Sequence, residues 1–443
     1  MPDHRPRIHW VSPLPPAETD IAHYTRRILP ELAERAEVTL WTDATTWDRE
    51  LEQFCRVRSM TPGKMLPKQM RSFDGPGDRS GNRSGDRPGT MFINMGNSWV
   101  FHAGLLTLAR RMPSVVVLHD LAIQEMCLDA IHNSLLGRQT YFEAMYRWYG
   151  EAGRRAAQEA LKGRLPATEL SQTYPGFEIA MDNAVAVLTH TAAASEAVSA
   201  RGYVPTYQLD LPFRARDTAR HARRMTGPLR FVQFGHIGPN RRLEQVLEAL
   251  AGMGPGFDFI FDIVGKVWNQ ELIKARCQEL GLSEKVHLHG YVSEPELDAL
   301  IGQAHLVFNL RHPTMGEASG SQLRIWNAAA ASVVSDQGWY HHLPKDTVFH
   351  IPVEGEISAL QQLFVRLQED RSFGWSLGLA GRQRLMEHHA PAHYADGIVD
   401  VASDFENDAR DALFANSARR LLSEGPDTPR LSGLIQNRLA QLF

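Results

Sequence analysis

The stretch FVQFGHIGPNRRLEQVLEAL, residues Phe231–Leu250, decides the fold of the second half of the chain. An apolar run of strand length stops at a loop with glycines and two arginines, and leucine and valine then return at helical spacing. A helix that directly follows a strand and a glycine loop presents free backbone N–H groups and its positive dipole end. We expect Arg241 and Arg242 in the first helical turn, where a cation is unfavourable unless an anion lies nearby. The spacing fits a diphosphate site and two solvent-facing arginines equally well.

Similar units of strand and helix recur along the whole chain. In the first half we expect strands at Ile8–Ser12, Val38–Trp41, Met91–Asn94, Ser114–Asp120, Ala184–His190 and Tyr207–Phe213. In the second half we expect them at 229–235, Phe257–Gly265, Lys285–Gly290, His305–Leu310 and Ser332–Asp336. The alternation predicts an α/β protein with two Rossmann-like domains, each a parallel sheet covered by helices, and a ligand cleft between the carboxyl ends of the two sheets.

The predicted domain organisation has four parts. An N-terminal domain covers residues 1–213, with a glycine- and arginine-rich insertion at about 56–90 whose composition is typical of a flexible loop. The polar, basic segment 214–228 is expected to be a linker, and the C-terminal domain covers 229–388. Helices and a tail occupy 389–443, and a long helical region rich in arginine and aromatic residues is predicted at about 123–165.

Composition excludes several classes of function. The 443 residues carry a formal charge of -4, so there is no global basic surface for nucleic acid. Three cysteines, far apart, argue against a disulfide framework or a cysteine-based zinc site. No apolar run has the length of a membrane span or of a signal-peptide core, which favours a cytoplasmic protein. The glycine loop matches neither the dinucleotide pattern nor the P-loop, which disfavours an NAD-dependent enzyme or an NTPase.

A second glycine-containing loop strengthens the anion-site interpretation. The stretch MGEASGSQLR lies between a buried strand and an apolar helix. Gly316 and Gly320 have no side chain, so the backbone N–H groups of this loop can approach a phosphate closely. Glu317 is either an acceptor for sugar hydroxyls or an ordinary carboxylate at a helix start.

Together these stretches resemble a known family. FGHIGPNRRLEQVLEAL, VHLHGYVSEPELDALIGQAHLVFNL and MGEASGSQLR resemble the donor domain of family 4 glycosyltransferases, and RIHWVSPLPPAETD and VVVLHDL resemble its N-terminal domain. The resemblance implies a GT-B fold whose C-terminal helices cross back to the N-terminal domain. It also implies a GDP- or UDP-linked sugar donor, retention at the anomeric carbon, no cofactor and no essential metal. The implied reaction is hexosyl or deoxyhexosyl transfer to a glycan or lipid-linked acceptor in bacterial surface polysaccharide synthesis.

The resemblance also assigns roles to residues. Arg242 falls where the family has a lysine that holds the donor diphosphate, Glu317 matches a sugar-binding glutamate, and His119 matches a histidine that approaches the donor sugar. These three are the predicted catalytic residues. The predicted donor-binding residues are Gly235, His236, Arg241, Arg242, Tyr291, Val292, Gly316, Glu317, Ala318, Ser319, Gly320, Ser321 and Arg324. Thr19 and Asp20 form the predicted acceptor-side loop of the N-terminal domain.

Three departures from the family pattern motivate a second hypothesis. Arg324 replaces a glutamate that accepts the ribose hydroxyls, and a guanidinium cannot accept a hydrogen bond. His236 replaces an arginine and is only partly charged near neutrality, and Asp20 replaces a glycine and would repel an anion. The alternative is therefore a catalytically silent homologue that serves as a binding or scaffold subunit.

The basic, aromatic helical region at 138–164 leaves two interpretations open. It could dock an anionic membrane surface or a polyprenyl-diphosphate acceptor, which would place the protein peripherally at the inner face of the plasma membrane. It could equally be a solvated helix face.

Overall fold

The computed structural model describes residues 5–62, 89–216 and 225–405, and these form two compact units. The N-terminal unit contains the described residues up to His190, then Ala194–Leu209, and the described residues from Ala395 to 405. The C-terminal unit contains Thr191–Ala193 and Asp210–Tyr394. Most of the predicted insertion (63–88), part of the predicted linker (217–224) and most of the predicted C-terminal segment (406–443) lie outside the described residues.

Within its described part, the N-terminal unit has a seven-stranded parallel sheet in the order β3-β2-β1-β4-β5-β6-β7. Its strands are β1 (Arg7–Val11), β2 (Glu37–Thr42), β3 (Arg56–Ser59), β4 (Thr90–Met95), β5 (Ser114–Leu118), β6 (Ala184–Thr189) and β7 (Thr206–Gln208). The central strands β4, β5 and β6 are buried along their whole length, because helices cover both faces of the sheet.

The helices of this unit pack on a core of aliphatic and methionine side chains. They are α1 (Asp20–Arg35), α2 (Trp99–Ala109), α3 (Gln124–His132), α4 (Arg138–Leu161), α5 (Ala167–Thr173) and α6 (Ala192–Ser199). On the other face, Trp10 of β1 stacks on Phe92 at a ring distance of 5.5 Å and donates a 3.2 Å hydrogen bond to Thr25 of α1. This contact fixes α1, and therefore the loop before it, against the sheet.

The C-terminal unit has a six-stranded parallel sheet, again counting described residues, in the order β10-β9-β8-β11-β12-β13. Its strands are β8 (Leu229–Ile237), β9 (Phe259–Val267), β10 (Val286–Gly290), β11 (Leu306–Phe308), β12 (Ser332–Ser335) and β13 (Phe349–Ile351). Successive residues of β8 face opposite cores: Phe231 packs among Phe257 and Phe364, whereas Val232 packs among residues of the other face such as Ile301.

Helices cover both faces of this second sheet. They are α7 (Leu243–Ala251), α8 (Gln270–Glu279), α9 (Glu294–Gln303), α10 (Gly320–Asn327), α11 (Gly338–His341), α12 (Glu356–Glu369) and α13 (Trp375–His388). A last described helix, α14, spans residues 391–405. From Ala395 onward it belongs to the N-terminal unit, where Thr90 donates to the Ala402 carbonyl and Arg35 pairs with Asp396. The crossing back of the C-terminal helix that the resemblance implied is therefore present.

Two differences from the predicted elements lie in the N-terminal unit. The start of the predicted insertion is not a loop, because Arg56–Ser59 forms strand β3 at the edge of the sheet. The predicted helical region at 123–165 is divided, because a turn with Ser134 at a φ of 60° separates α3 from α4. Within α4, Gly150 has a φ of 66° and a ψ of -162°, and this non-helical residue kinks the helix.

Candidate functional site

A pair of glycines shapes the carboxyl end of the C-terminal sheet. Gly235 of β8 and Gly265 of β9 are register partners, with φ values of 103° and 112°. A Cβ atom on Gly265 would lie 2.2 Å from the Gly235 carbonyl oxygen, so no larger residue fits there without moving backbone. A side chain at position 265 would therefore collide with the β8 backbone, so the pairing of β8 and β9 at this end of the sheet requires glycine.

Arg241 lies beside this glycine. It is 3% exposed, in a 3₁₀ turn (Pro239–Arg241), and its Nη2 atom donates to the Phe234 carbonyl oxygen at 3.1 Å. Gln233 holds the turn by donating to the Arg241 carbonyl oxygen at 2.8 Å. Around the position that a Cβ of Gly235 would take, Arg241 Nη2 lies at 3.8 Å and Ser321 Oγ at 4.0 Å. The structure thus brings Gly235, Arg241 and Ser321 together.

Arg242 has different surroundings. Its φ is 58° and its Nε and Nη2 atoms both lie 2.8 Å from Glu356 Oε2, at the start of α12. Burial raises the pKa of the Glu356 carboxyl, and the Arg242 guanidinium opposes that rise. Helix α7 begins at Leu243, so the prediction that both arginines sit in the first helical turn is wrong. The reason is that Arg241 closes a 3₁₀ turn and Arg242 adopts the left-handed backbone that links it to α7.

The second predicted glycine loop leads into helix α10, and a buried polar network holds the first turn of that helix. Ser319 is the N-cap of α10, and its Oγ accepts from the Gln322 N–H at 3.2 Å. Asn309, at the end of β11, donates to both Ser319 Oγ and Gln322 Oε1, at 3.2 and 3.0 Å. Gly320 opens the helix with nothing within 4 Å of where its Cβ would be. The network fixes the direction in which the first N–H groups of α10 point.

Glu317 is held inside its own loop. Its Oε1 atom pairs with the Arg311 guanidinium, and its Oε2 accepts from Thr314 Oγ1 at 3.0 Å and from the Met315 N–H at 2.7 Å. The Glu317 side chain is 12% exposed, and the neighbouring Gly316 has a φ of 80°. Ala318 packs against the apolar cluster that surrounds Trp326. The carboxylate is therefore ionically fixed and close to the surface of the loop.

Arg324 stabilises the packing of two helices. Its guanidinium lies 2.7 Å from Asp298 Oδ1 and 2.9 Å from Glu294 Oε2, and it donates to the Glu294 carbonyl oxygen at 3.1 Å. These contacts tie α10 to the first turns of α9, so Arg324 packs these two helices together. Of the other predicted donor residues in this unit, His236 is exposed on β8, Tyr291 is 82% exposed and Val292 packs under α9.

In the N-terminal unit, His119 directly follows β5 and contacts residues that the sequence did not single out. Its Nε2 lies 2.9 Å from Asn94 Oδ1, while Asn94 Nδ2 donates to the Val11 carbonyl oxygen at 3.0 Å. The amide nitrogen of Asn94 donates to Val11, so the amide oxygen of Asn94 faces His119. An oxygen can only accept, and Nε2 of His119 must therefore carry the imidazole proton. The Nδ1 atom of His119 is then a hydrogen-bond acceptor.

Burial keeps this histidine neutral. It lowers the pKa of His119 well below the ordinary value, and the nearby His190 and His102 lower it further. The rings of Tyr24 and His190 lie 4.7 and 4.8 Å from that of His119. Burial also lowers the pKa of His102 to about 4, with its Nδ1 3.3 Å from the Asn94 carbonyl oxygen. No sequence motif points to Asn94 or His102, because strand β4 and helix α2 bring them to His119 only in the folded chain.

The predicted acceptor-side loop has an ordinary helix start. Thr19 is the N-cap of α1, and its hydroxyl accepts from the Ile21 N–H at 3.4 Å. Asp20, the first helical residue, is exposed. A carboxylate in the first turn suits the helix dipole, so both residues are explained by the stability of α1.

The arginines of α4 are largely paired. Arg154 and Arg155 lie 3.0 and 3.2 Å from Glu151, and Arg147 lies 3.4 Å from Asp182. These pairs reduce the positive charge that the helix could offer to an anionic surface. Among the described helices, none combines the length and the apolar character that a bilayer crossing needs.

Comparisons with known proteins agree with this architecture. Residues 216–351 match the family model Glycosyl transferases group 1. A search of curated proteins finds no significant match. The chain is similar in structure to sucrose-phosphate synthase from Thermosynechococcus elongatus, with a TM-score of 0.59 and 15% identity over 90% of this chain and 99% of the other.

Two further solved structures are similar over most of their length. A glycosyltransferase from Rickettsia africae has a TM-score of 0.59 and 9% identity, over 90% of this chain and 98% of that one. The HepE protein of Anabaena, solved with UDP, has a TM-score of 0.55 and 15% identity, over 90% of this chain and 100% of that one. At these identities the likeness shows the fold. Residues 216–351 thus carry a domain of the glycosyl transferases group 1 type, in a chain with the GT-B fold of glycosyltransferases.

Proposed function

We propose that the protein is a retaining glycosyltransferase of family 4 that uses a nucleoside-diphosphate sugar. The observation that carries the proposal is the grouping of Arg241, Gly235 and Ser321 beside the capped start of α10. A fixed guanidinium, a strand-end glycine without a side chain and helix N–H groups together suit a diphosphate. The group lies within residues 216–351, which match the glycosyl transferase model.

The proposed chemistry begins with the departing diphosphate. Breaking a bond between sugar and phosphate builds negative charge on the phosphate oxygens, and a preorganised guanidinium stabilises that charge most when it is already fixed in a water-poor site. Arg241 meets this condition, since Phe234 and Gln233 hold it in place. We therefore propose Arg241 as the main diphosphate ligand, with Arg242 acting on stability through Glu356.

Sugar recognition is proposed for Glu317 and His119. Glu317 has two carboxylate oxygens already oriented by Arg311 and Thr314, and a further lone pair on either can accept from a sugar hydroxyl. In the N-terminal unit, the neutral His119 offers its Nδ1 as an acceptor. Neither residue is proposed as a covalent nucleophile, so the acceptor hydroxyl attacks the donor directly and its proton leaves with the phosphate.

The donor is proposed to be UDP-linked in preference to GDP-linked. The support is that HepE of Anabaena, of the same fold, was solved with UDP and with UDP-glucose. The proposal also includes the group transferred and its acceptor: the enzyme moves a hexosyl or deoxyhexosyl group to a glycan or lipid-linked acceptor without a metal. It acts in the cytoplasm with peripheral membrane contact, in bacterial surface polysaccharide synthesis.

The test is a binding and hydrolysis measurement on the purified full chain. Isothermal titration with UDP, GDP and their hexose conjugates, followed by NMR detection of released sugar, should show binding of a uridine nucleotide and slow donor hydrolysis. A chain that binds no nucleotide sugar would contradict the proposal.

A second candidate function is a non-catalytic scaffold. Its support is that Arg242, Glu317 and Arg324 are all engaged in ion pairs of the protein itself. Nucleotide binding without any turnover, in the presence of a panel of glycan and lipid-linked acceptors, would favour the scaffold.

A further inference from the structure

The edge of the C-terminal sheet carries a cluster of side chains that the proposed reaction does not use. Asp262 lies in β9 and is 4% exposed, although it is a carboxylate in an apolar strand. Its register partner on β10 is His287, and His289 lies two residues further along the same strand. Side chains of register partners and of residues two apart share one face of a sheet. All three therefore converge on the same face at the sheet edge.

Irregular pairing brings the second histidine close to the carboxylate. The register of β9 and β10 shifts between Leu288 and Gly290, so His289 is an extra residue in the ladder. Its Nε2 atom lies 2.7 Å from Asp262 Oδ1, and His287 Nδ1 lies 3.5 Å from the same oxygen. A bulge that re-aims a side chain is a common feature next to functional sites.

The geometry of these atoms fits a metal ion. One ligand atom from each of Asp262, His287 and His289 lies within 4.8 Å of the other two. Ligands at about 2.0–2.1 Å from a tetrahedral ion are separated by roughly 3.3 Å, so the carboxylate and imidazole atoms need to move only by small side-chain rotations. Among the described residues, this is the one group of three such side chains with that spacing.

The chemistry of the three ligands narrows the class of ion. Two neutral imidazoles and one carboxylate are the ligands that zinc and similar first-row ions prefer, whereas Mg²⁺ and Ca²⁺ prefer sites made of oxygen. The histidine side chains are partly open to solvent, at 47% and 30% exposure, so an ion can enter and keep water in its remaining position. We infer that Asp262, His287 and His289 bind a divalent transition-metal ion such as Zn²⁺.

The position of the site gives the ion a structural role. β10 is the outermost strand of its sheet, and an ion held by β9 and β10 cross-links the edge to its neighbour. An ion that binds only the folded protein raises the temperature of unfolding, so binding is measurable apart from activity.

The test is titration of the untagged full chain with Zn²⁺ by calorimetry, with Co²⁺ absorption as a probe of coordination. We expect one ion per chain at this site and an unfolding midpoint that rises with Zn²⁺. His289→Ala should weaken binding at least about tenfold, since even the loss of a partner outside the ligand set costs roughly 10–100-fold. His287→Ala should also weaken Zn²⁺ binding at least about tenfold, and it should not disturb the fold because the His287 side chain is exposed.

His341→Ala is the matched control. His341 Nδ1 lies 2.7 Å from Asp336 Oδ1, the same kind of contact as that of His289, but the described residues give it no third ligand. This variant should bind Zn²⁺ as the wild type does. The inference is overturned if the wild type binds no Zn²⁺, or if the double variant His287→Ala/His289→Ala keeps the affinity and the rise in midpoint of the wild type.

Discussion

The carboxyl ends of the two sheets hold polar groups of different kinds. In the N-terminal unit they carry His119 and His190, with His102 behind them, and burial lowers the pKa of His102 and His119 so that these imidazoles stay neutral. In the C-terminal unit the corresponding edge carries Arg241 beside a pair of glycines. A guanidinium keeps its charge however deeply it is buried, whereas an imidazole does not. The difference supports the proposal that the C-terminal unit binds the anion and that the N-terminal unit recognises neutral hydroxyl groups.

The largest effect is expected from Gly265→Ala, which should disrupt the shape of the C-terminal edge. The added Cβ meets the Gly235 carbonyl oxygen at 2.2 Å, and the φ of 112° is unfavourable for alanine. We expect a loss of about 4 kcal/mol or more in the free energy of unfolding, measured with urea. Gly281→Ala is the control, because the φ of Gly281 is also positive but no atom lies within 4 Å of where its Cβ would be. If Gly265→Ala lost as little stability as Gly281→Ala, the close approach at Gly265 would be unimportant.

The second prediction tests the neutral histidines of the N-terminal unit. The pKa of His102 is about 4 in the folded protein and about 6.5 in the unfolded chain, so between these values only the unfolded chain takes up the proton. Stability should therefore fall by about 3 kcal/mol as the pH drops through this window, and this contribution should be flat above it.

The measurement is hydrogen exchange of β4 as a function of pH, in the wild type and in His102→Asn. The asparagine amide can reach the Asn94 carbonyl oxygen but does not titrate. Burial raises the pKa of Glu125 and of Glu178, and these two groups make stability change with pH in the opposite direction. The effect of His102 is therefore measured as the difference in stability between the wild type and His102→Asn at each pH. Identical pH profiles for both proteins would refute a neutral, buried His102.

The third prediction separates the two adjacent arginines. Arg241→Ala should weaken UDP binding about 10–100-fold, because it removes a charge-assisted contact, and Arg241→Lys should recover part of the affinity. Arg242→Ala should leave UDP affinity near that of the wild type but lower stability by about 2 kcal/mol, because it leaves Glu356 buried without its partner. Calorimetric titration with UDP decides, and a greater loss of affinity in Arg242→Ala would reverse the assignment.

The smallest effect is expected from Asn94→Ala. It removes the acceptor that fixes the Nε2 proton of His119, so the imidazole should populate both tautomers, which ¹⁵N NMR of the ring can measure. We expect turnover of the sugar donor to fall about tenfold while UDP affinity stays unchanged, since UDP is proposed to bind to the other unit. A single, unchanged tautomer in the variant would remove Asn94 from this role.

The fold was largely predictable from the sequence, because central parallel strands are buried on both faces and read as apolar runs. The missed strands lie at the edges: Arg56–Ser59 has no apolar run, and Phe349–Ile351 is only three residues long. Edge strands of this kind are specified by pairing with a neighbour, which a pattern along the chain does not contain.

The candidate site was predictable as a set of loops but not in its contacts. The glycine loops follow from local spacing. The direction of each arginine side chain does not follow from local spacing, because Arg242 pairs with Glu356, which is 114 residues away in sequence. The partner of His119 is similarly set by the order of the strands, because β4 and β5 are neighbours and place Asn94 beside it.

Helix α14 has a consequence for how the protein can be made. The N-terminal unit includes residues from 395 onward, where Arg35, Thr90 and Tyr207 make contacts with Asp396, Ala402 and Asp404. During synthesis this unit therefore lacks one of its helices until nearly the whole described chain has left the ribosome, while residues 210–394 are complete earlier. A shortened chain that ends before residue 395 should expose the apolar surface that this helix covers, whereas the same truncation leaves residues 210–394 in place.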